Sequence, residues 1–438
     1  YLKPGEKNTL AVRLENLPES SRWYPGAGLY RNVHLIITED AYIPVWGTYI
    51  TTPSVNEKFA KVNVRTKVVL PEGADPAKYS VETSVWNPNK QKLTAVRTSL
   101  AQMKYNNNQA EQEFVIQAPS LWSPEMPALY SAETRLYEGD KLKDIYTTPF
   151  GIRSIEIIPD KGFFLNGKRT VFKGVCNHHD LGPLGAAVND AAIRRQIRIL
   201  KDMGCNAIRT SHNMPAPELI RACDEMGMMV MAESFDEWAT AKVQNGYHTV
   251  FGEWAEKDIV NLVRHFRNNP SVVMWCIGNE VPDQWAGDKG PKLSLWLQNI
   301  CHREDPTRPV TQGMDAPDAV VNNMAAVMDV PGFNYRPFKY IENYKKLPQE
   351  IILGSETAST ISSRGVYKFP VVRRSMPKYP DHQSSSYDVE HCGWSNLPED
   401  DFIQHEDLPY CIGEFVWTGF DYLGEPTPYY SDWPSHSS

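Results

Sequence analysis

The chain has 438 residues, a length that predicts about three domains. A formal net charge of −8, with no run dense in lysine or arginine, argues against nucleic acid or an anionic membrane as a partner. No stretch has the roughly 18 consecutive apolar residues of a membrane helix, so no membrane span is predicted. The seven cysteines, an odd number, lie largely in apolar runs, which favours buried thiols over disulfides.

Residues 1–40 contain two segments in which apolar and polar residues alternate. The apolar positions are Leu10, Val12, Leu14, Val33, Leu35 and Ile37. A period of two predicts strands with one solvated face. Because two strands do not form a stable sheet alone, we predict that residues 1–40 are the end of a sandwich that begins upstream of Tyr1.

Residues 41–149 have an all-β pattern. Short alternating segments surround Val64, Thr83, Phe114 and Thr134, with turn residues between them at regular spacing. About 100 residues with this pattern predict an immunoglobulin-like β-sandwich. Nothing in the segment suggests chemistry, so we predict a structural role.

From residue 150 onward, strands alternate with helices, which predicts parallel βα units. The predicted strands are residues 170–175, 207–210, 229–232, 272–277, 310–313, 328–333, 351–354 and 411–417. Eight strands are the number that a (β/α)₈ TIM barrel requires. We therefore predict that residues 150–438 form such a barrel, truncated after strand eight because no eighth helix is visible.

The fourth strand ends in a carboxylate, since the apolar run 272–277 leads through Asn279 to Glu280. The seventh strand repeats the arrangement with Glu356. In parallel barrels the carboxyl ends of the strands carry the chemistry, and strands four and seven are expected to lie nearly opposite each other. A gap of roughly 5 Å between the carboxyls would suit a retaining glycosidase, and the inverting separation of ~6.5–9.5 Å stays open.

Eight segments together resemble the family 2 glycoside hydrolases, in particular their β-galactosidase branch. The segments are SRWYPGAGLYR, LWSPEMPALY, GVCNHHD, IRTSHN, ESFDEW, IGNE, GSETAS and GEFVWTGFDYLGEPTPY. The resemblance covers the whole chain and implies a jelly-roll, an immunoglobulin-like sandwich and a catalytic barrel in that order. It also implies that Glu280 is the general acid/base and Glu356 the nucleophile, which requires Glu280 to be protonated near neutral pH.

The resemblance implies a set of sugar-binding residues as well. They are His178 and His212 for galactose hydroxyls, Asn279 for the 2-hydroxyl, Tyr335 for a hydrogen bond to the nucleophile, and Trp417 as an apolar platform. Arg209 and Asp315 would orient carboxylates or hydroxyls, with structural salt bridging as the alternative. Asp236 follows the third strand and has no assigned role.

No cofactor is predicted to be required. The family's magnesium site matches at Glu237, but its histidine position is occupied by Ala239, so Mg²⁺ is left open only as an alternative. No Cys/His cluster has the spacing of zinc ligands.

The predicted function is that of a retaining exo-β-galactosidase, with β-galactoside oligosaccharides or glycoconjugates as partners and a homo-oligomer left open. A β-glucuronidase or another family 2 glycosidase is the first alternative, and Arg364 could meet a sugar carboxylate. A non-catalytic carbohydrate-binding protein is the second. Resemblance to enzymes of gut bacteria that degrade polysaccharides favours the periplasm over the cytoplasm.

Overall fold

The computed structural model describes residues 3, 5–23, 28–101 and 109–422. In the described part of residues 3–40 no strand forms, so the two strands predicted there are wrong. Leu10 and Ile37 are each 84 % exposed. A segment of alternating apolar and polar residues is stable as a strand only when other parts of the chain cover its apolar face and hydrogen-bond with its backbone. None of the described strands covers or pairs with this segment. The jelly-roll assignment of residues 1–40 stays a prediction.

Seven antiparallel strands form the predicted sandwich in two sheets. They are β1 (Thr48–Val55), β2 (Phe59–Lys67), β3 (Tyr79–Trp86), β4 (Lys92–Ser99), β5 (Gln109–Gln117), β6 (Tyr130–Glu138) and β7 (Lys141–Phe150). One sheet has the order β1-β2-β5 and the other β4-β3-β6-β7. Val64 and Phe114 of the first sheet pack on Val85 and Ala132 of the second, which is why every other residue along these strands is apolar.

A small antiparallel sheet links the sandwich to the barrel. It consists of β8 (Ile155–Ile158), β9 (Gly162–Leu165) and β10 (Lys168–Arg169). Phe163 of β9 packs on Phe172, the first residue of the barrel, with 4.7 Å between ring centroids. The sheet therefore closes the amino-terminal end of the barrel with apolar side chains.

Eight parallel strands close into the predicted barrel, which confirms the TIM-barrel fold class. They are β11 (Phe172–Asn177), β12 (Ala207–Thr210), β13 (Met229–Glu233), β14 (Val272–Asn279), β15 (Val310–Met314), β16 (Val330–Asn334), β17 (Ile352–Ala358) and β20 (Cys411–Trp417); the short β18 (Arg374–Ser375) and β19 (Glu390–His391) lie between the last two in sequence.

The α-helices are α1 (Asp190–Asp202), α2 (Pro217–Met226), α3 (Phe251–Phe266), α4 (Lys289–Glu304), α5 (Asp318–Val321), α6 (Tyr340–Lys346) and α7 (Pro398–Asp407). The 3₁₀ helices are Pro76–Lys78, Gly182–Leu184, Tyr247–Thr249, Pro282–Trp285 and Pro337–Lys339. None of the helices in the described chain has the length and apolar character needed to cross a membrane.

The helices pack on the outside of the barrel through apolar stripes. On α1, Ile197 and Leu200 are fully buried, and the side chain of Asn189 caps the helix by accepting a hydrogen bond from the backbone of Ala192. Each barrel strand is buried on both faces: Trp275 packs toward the helices and Met274 toward the interior. All seven cysteines are unbridged, and six of them are buried, as predicted.

A cluster of buried acids lies between α7 and β20. Burial raises the pKa of Glu414 to about 8 and that of Asp401 to about 7. The neighbouring His405, whose pKa burial lowers to about 3, has its Nε2 atom 3.8 Å from Glu414, and Thr357 donates a hydrogen bond to the same carboxyl. Tyr340, Cys411 and Asp400 are further titratable groups that act on the cluster. The folded protein therefore holds protons on acids that ionise near pH 4 when unfolded.

The substitution Glu414→Gln is expected to flatten the dependence of stability on pH. Because folding raises the pKa of Glu414, this carboxyl stabilises the folded state fully at pH values below its pKa in the unfolded chain. This contribution to the free energy of unfolding is lost as the pH rises through about 8, at a rate of up to about 1.4 kcal/mol per pH unit. Melting temperatures measured from pH 5 to 9 check this. The exposed Glu406→Gln on α7 serves as the control, and equal slopes for both variants would contradict the assignment.

Candidate active site

The two predicted catalytic glutamates lie at the carboxyl-terminal mouth of the barrel. Glu280 follows the end of β14, Glu356 lies within β17, and two strands separate these elements. The backbone turns sharply where β14 and β16 end, with φ of +41° at Glu280 and +55° at Tyr335. Each of these residues follows a buried asparagine, Asn279 or Asn334. Left-handed conformations at non-glycine residues are strained and must be held by the surrounding structure. Here they turn the chain at the ends of β14 and β16, where Glu280 and Tyr335 are placed.

The guanidinium of Arg209 is fully buried and joins the carboxylates of the site. It donates to Glu233 at 2.6 and 3.2 Å, and to Oε2 of Glu356 at 3.0 Å. Its remaining hydrogen bonds reach Oδ1 of Asn279 at 2.9 Å and the backbone oxygen of Ser355 at 2.8 Å. Burial opposes ionisation of Glu233, but the charge of Arg209 keeps its pKa below the usual value. Arg209 therefore fixes Glu356 from a position that water does not reach.

Two donors hold the carboxylate of Glu356. Tyr335 donates to Oε1 at 2.6 Å and Arg209 to Oε2 at 3.0 Å, as the prediction for Tyr335 required. Burial and the charge of Glu280 nevertheless raise the pKa of Glu356 to about 8, against the effect of the two donors. The charge of Glu280 therefore acts directly on the ionisation of Glu356.

A chain of amide hydrogen bonds connects the two glutamates. The side-chain amide of Asn334 donates to Oε1 of Glu280 and to Oδ1 of Asn279, both at 3.0 Å. The same Asn279 oxygen accepts from Arg209, which in turn binds Glu356. Glu280 and Glu356 are therefore parts of one hydrogen-bonded network.

Asp236 anchors the other side of this network. It accepts from Asn279 at 3.0 Å, from Lys242 at 2.8 Å and from both ends of the Arg22 guanidinium at 2.7 and 2.9 Å. Burial opposes its ionisation, but the charges of Arg22 and Lys242 hold its pKa well below the usual range. Arg22 thereby ties the segment that precedes the sandwich to the mouth of the barrel.

Aromatic rings form one wall of the mouth. His212 stacks on Trp417 with 5.3 Å between centroids and an interplanar angle of 5°, and its Nδ1 atom lies 3.0 Å from Glu233. His178 contacts both of these rings and Trp23. Burial lowers the pKa of both histidines, so they are neutral near pH 7. Neither ring nitrogen of His178 has a hydrogen-bond partner among the described residues, which leaves both for hydroxyl groups of a ligand.

Asp315 is not part of this network. Its carboxylate accepts from the side chain of Gln284 at 2.9 Å, and its backbone donates to the same side chain at 3.0 Å. These contacts fix the loop after β15 against the 3₁₀ helix Pro282–Trp285. The proposed sugar-orienting role of Asp315 stays a prediction.

Glu237 has a partner that the sequence did not indicate. Its Oε1 atom lies 2.5 Å from Nδ1 of His248 and accepts from the His248 backbone at 3.1 Å. Among the described residues, no group of three or more His, Cys, Asp or Glu side chains could hold a metal ion. The residues around Glu237 thus do not fit the magnesium site of the family, and no chemistry is assigned to a metal here.

Several residues of the site received no role from the sequence. They are Glu233, Asn334, Lys242, Arg22 and Trp23. A usable signal existed for Glu233 and Asn334, since both end barrel strands on the catalytic side. No comparable signal existed for Arg22, because it lies more than 200 residues from Asp236 in sequence.

Removing the hydroxyl of Tyr335 is expected to impair Glu356. In Tyr335→Phe the carboxylate loses a donor at 2.6 Å, and the pKa of Glu356 rises further because that hydrogen bond lowers it. We expect kcat/KM to fall about 10- to 100-fold and the acidic limb of its pH profile to move to higher pH. Initial rates from pH 4 to 9 check both effects.

The control for this variant is Tyr344→Phe. Its hydroxyl bonds to Asp160 on the surface, far from the catalytic mouth. Loss of activity without a shift of the acidic limb would show that Tyr335 packs at the site but does not act on Glu356.

Comparison with known proteins agrees with this architecture. The model of the glycosyl hydrolases family 2 TIM barrel domain matches residues 156–430, and that of glycosyl hydrolases family 2 matches residues 42–153. The beta-galactosidase BoGH2A of Bacteroides ovatus is 40 % identical over an alignment of 480 residues, gaps included. The alignment covers 100 % of this chain and 56 % of that protein. A putative beta-glucuronidase of Formosa agariphila is 32 % identical over 454 residues, covering 97 % of this chain and 41 % of its own length.

A solved structure shares the fold. The crystal structure of a beta-glycosidase from Bacteroides vulgatus superposes with a TM-score of 0.82 at 32 % identity, covering 93 % of this chain and 53 % of that one. The chain spans about half the length of the relatives it matches. With a family model over more than half of its residues, the chain belongs to glycosyl hydrolase family 2.

Proposed function

We propose that the protein is a retaining exo-β-galactosidase that acts on terminal β-galactosides of oligosaccharides or glycoconjugates. The observation that carries this proposal is the coupling of two carboxyls, Glu280 and Glu356, through one hydrogen-bonded network at the barrel mouth. Such a pair suits a double displacement, in which one carboxylate is the nucleophile and the other acts first as acid and then as base.

In the first step Glu356 attacks the anomeric carbon while Glu280 gives its proton to the glycosidic oxygen. The bond from the anomeric carbon to the Glu356 oxygen forms as the bond to the aglycone breaks, and the aglycone leaves as an alcohol. A proton on Glu280 removes the charge that helps to raise the pKa of Glu356, so Arg209 and Tyr335 then favour the ionised nucleophile.

In the second step a water molecule attacks the same carbon and releases Glu356. The ester carries no negative charge on Glu356, so Glu280 can accept the proton of the water. Two inversions at the anomeric carbon give a product with the configuration of the substrate, and both glutamates return to their initial protonation states.

The choice of galactose has support from the aromatic wall and from the named relative. His178 and His212 are neutral and offer ring nitrogens to hydroxyl groups, with Trp417 as an apolar surface beside them. The relative with 40 % identity is named a beta-galactosidase. The β-glucuronidase alternative rests on relatives with that name and on Arg364, which is exposed in the segment after β17.

Hydrolysis of nitrophenyl β-galactoside and nitrophenyl β-glucuronide tests the proposal. We expect kcat/KM to favour the galactoside by at least about 100-fold, because a buried carboxylate without a cationic partner is disfavoured in the pocket. Preference for the glucuronide would support the alternative. Binding of galactose with no turnover of either substrate would support a non-catalytic carbohydrate-binding protein.

A further inference from the structure

A cavity of about 380 Å³ lies between the sandwich and the amino-terminal end of the barrel. It borders the loops that lead into β14 and β15, so it is at the opposite end of the barrel from Glu280 and Glu356. Four arginines line it: Arg65 and Arg153 come from the sandwich side, Arg267 and Arg308 from the barrel. The only carboxylate in the lining is Glu156, which is exposed.

Arg153 is a buried cation without a carboxylate partner. It donates to the backbone oxygens of Pro270 at 2.6 Å and Val272 at 2.7 Å. Among the described residues no carboxylate lies within 4.0 Å of its guanidinium. Asp305 and Asp224 act on Arg153 from beyond that distance, so its buried charge has no direct ion pair.

The other arginines place further positive charge at the cavity. Arg308 donates to the same Val272 oxygen at 2.6 Å, which brings its guanidinium close to that of Arg153, and its charge lowers the pKa of Arg153 in addition to burial. Asp305 pairs directly with Arg308 at 2.6 Å and acts on Arg153 only from a greater distance. Arg65 and Arg267 have only long ion pairs, with Glu111 at 3.7 Å and with Glu304 at 4.0 Å.

The ring of Tyr49 holds the remaining two arginines at the cavity. The guanidinium of Arg267 lies 4.4 Å from the ring centroid and that of Arg65 lies 5.4 Å from it. The Nε atom of Arg267 is buried and has no hydrogen-bond partner among the described residues. A donor without a partner beside a polar cavity indicates that the site is completed by a ligand.

We propose that this cavity binds a small doubly charged oxyanion of the sulfate or phosphate type. Planar guanidinium groups bind such oxyanions through paired hydrogen bonds, and the anion would supply the direct ion pair that Arg153 lacks. Because its ligands come from both domains, the anion would link the sandwich to the barrel and stabilise their interface. The same chemistry fits an inorganic ion or the ester of a sulfated or phosphorylated sugar.

Isothermal titration calorimetry with sodium sulfate and sodium phosphate, at ionic strength kept constant with chloride, tests the proposal. We expect one site per chain and at least a tenfold weaker affinity in Arg65→Gln and in Arg153→Lys. Arg97→Gln, at an exposed position in β4, is the matched control and should bind as the unmodified protein does. Arg65 is itself partly exposed, so its variant is expected to fold.

The same titration with galactose 6-sulfate and glucose 6-phosphate identifies the source of the anion. Tighter binding of an ester than of the free ion assigns the site to a modified saccharide, and equal or weaker binding assigns it to the inorganic ion. No heat beyond that of chloride, or an affinity unchanged in Arg65→Gln, would overturn the proposal.

Discussion

Glu356→Gln is expected to abolish nearly all turnover of β-galactosides, with kcat reduced by about 10⁴- to 10⁶-fold. The amide is similar in size to the carboxylate but cannot form the glycosyl ester. The fold should survive, because the amide oxygen can still accept from Arg209 while the amide nitrogen donates to the hydroxyl oxygen of Tyr335, and the change removes a buried charge. Rates with nitrophenyl β-galactoside and thermal melts of the same preparation check both expectations.

The matched control is Glu350→Gln, just before the opposite end of the same strand. Glu350 is exposed and precedes β17 at the amino-terminal side of the barrel. It should retain the activity of the unmodified protein. Comparable turnover in Glu356→Gln and Glu350→Gln would remove Glu356 from the chemistry.

A smaller replacement separates the role of Glu356 from that of Glu280. In Glu356→Gly, azide can occupy the space of the carboxylate and attack from the same side, giving an α-galactosyl azide. In Glu280→Gly with an activated aryl substrate, azide attacks the ester on Glu356 and gives the β-galactosyl azide. Azide products of the opposite configuration would exchange the two assignments.

Arg209→Met is expected to reduce both stability and activity. The substitution leaves Glu233 fully buried without its cation and removes a donor to Glu356. Breaking a buried ion pair from one side costs about 3–5 kcal/mol in the free energy of unfolding. The pKa of Glu356 should also rise, because the charge of Arg209 lowers it, so kcat/KM should fall and its acidic limb should move to higher pH.

Chemical denaturation of a second variant distinguishes loss of charge balance from loss of packing. In the double variant Arg209→Met/Glu233→Met, position 233 no longer carries a buried charge without its cation, and part of the lost stability should return while activity does not. The exposed Arg303→Met is the control and should cost less than about 1 kcal/mol. A double variant as unstable as the sum of its single changes would contradict the paired-charge account.

The order of the barrel strands could be read from the sequence because each is an apolar run bounded by polar or turn residues. Val272 to Ile277 is apolar without interruption, and the strand it predicts is present. The observed strand continues to Asn279, however, and β13 likewise includes Glu233. Polar residues inside a buried strand are stable only because distant partners such as Arg209 satisfy them, and hydrophobic pattern does not report partners.

The contacts among strand ends were predictable only in part. The hydrogen bond from Tyr335 to Glu356 was expected, and it is present. Asp315 occupies an equivalent strand end, yet it bonds to Gln284. Each strand end fixes where a backbone leaves the barrel, but side-chain direction depends on local turns and neighbours that become visible only in the folded structure.

We expect Glu356 to become covalently attached to the sugar during turnover. A 2-deoxy-2-fluoro-β-galactoside with a good leaving group slows release of the sugar more than its attachment, so the glycosyl–enzyme should accumulate. Mass spectrometry of proteolytic peptides should then locate one fluorosugar on Glu356. A label on Glu280, or inactivation with no labelled carboxylate, would contradict the account.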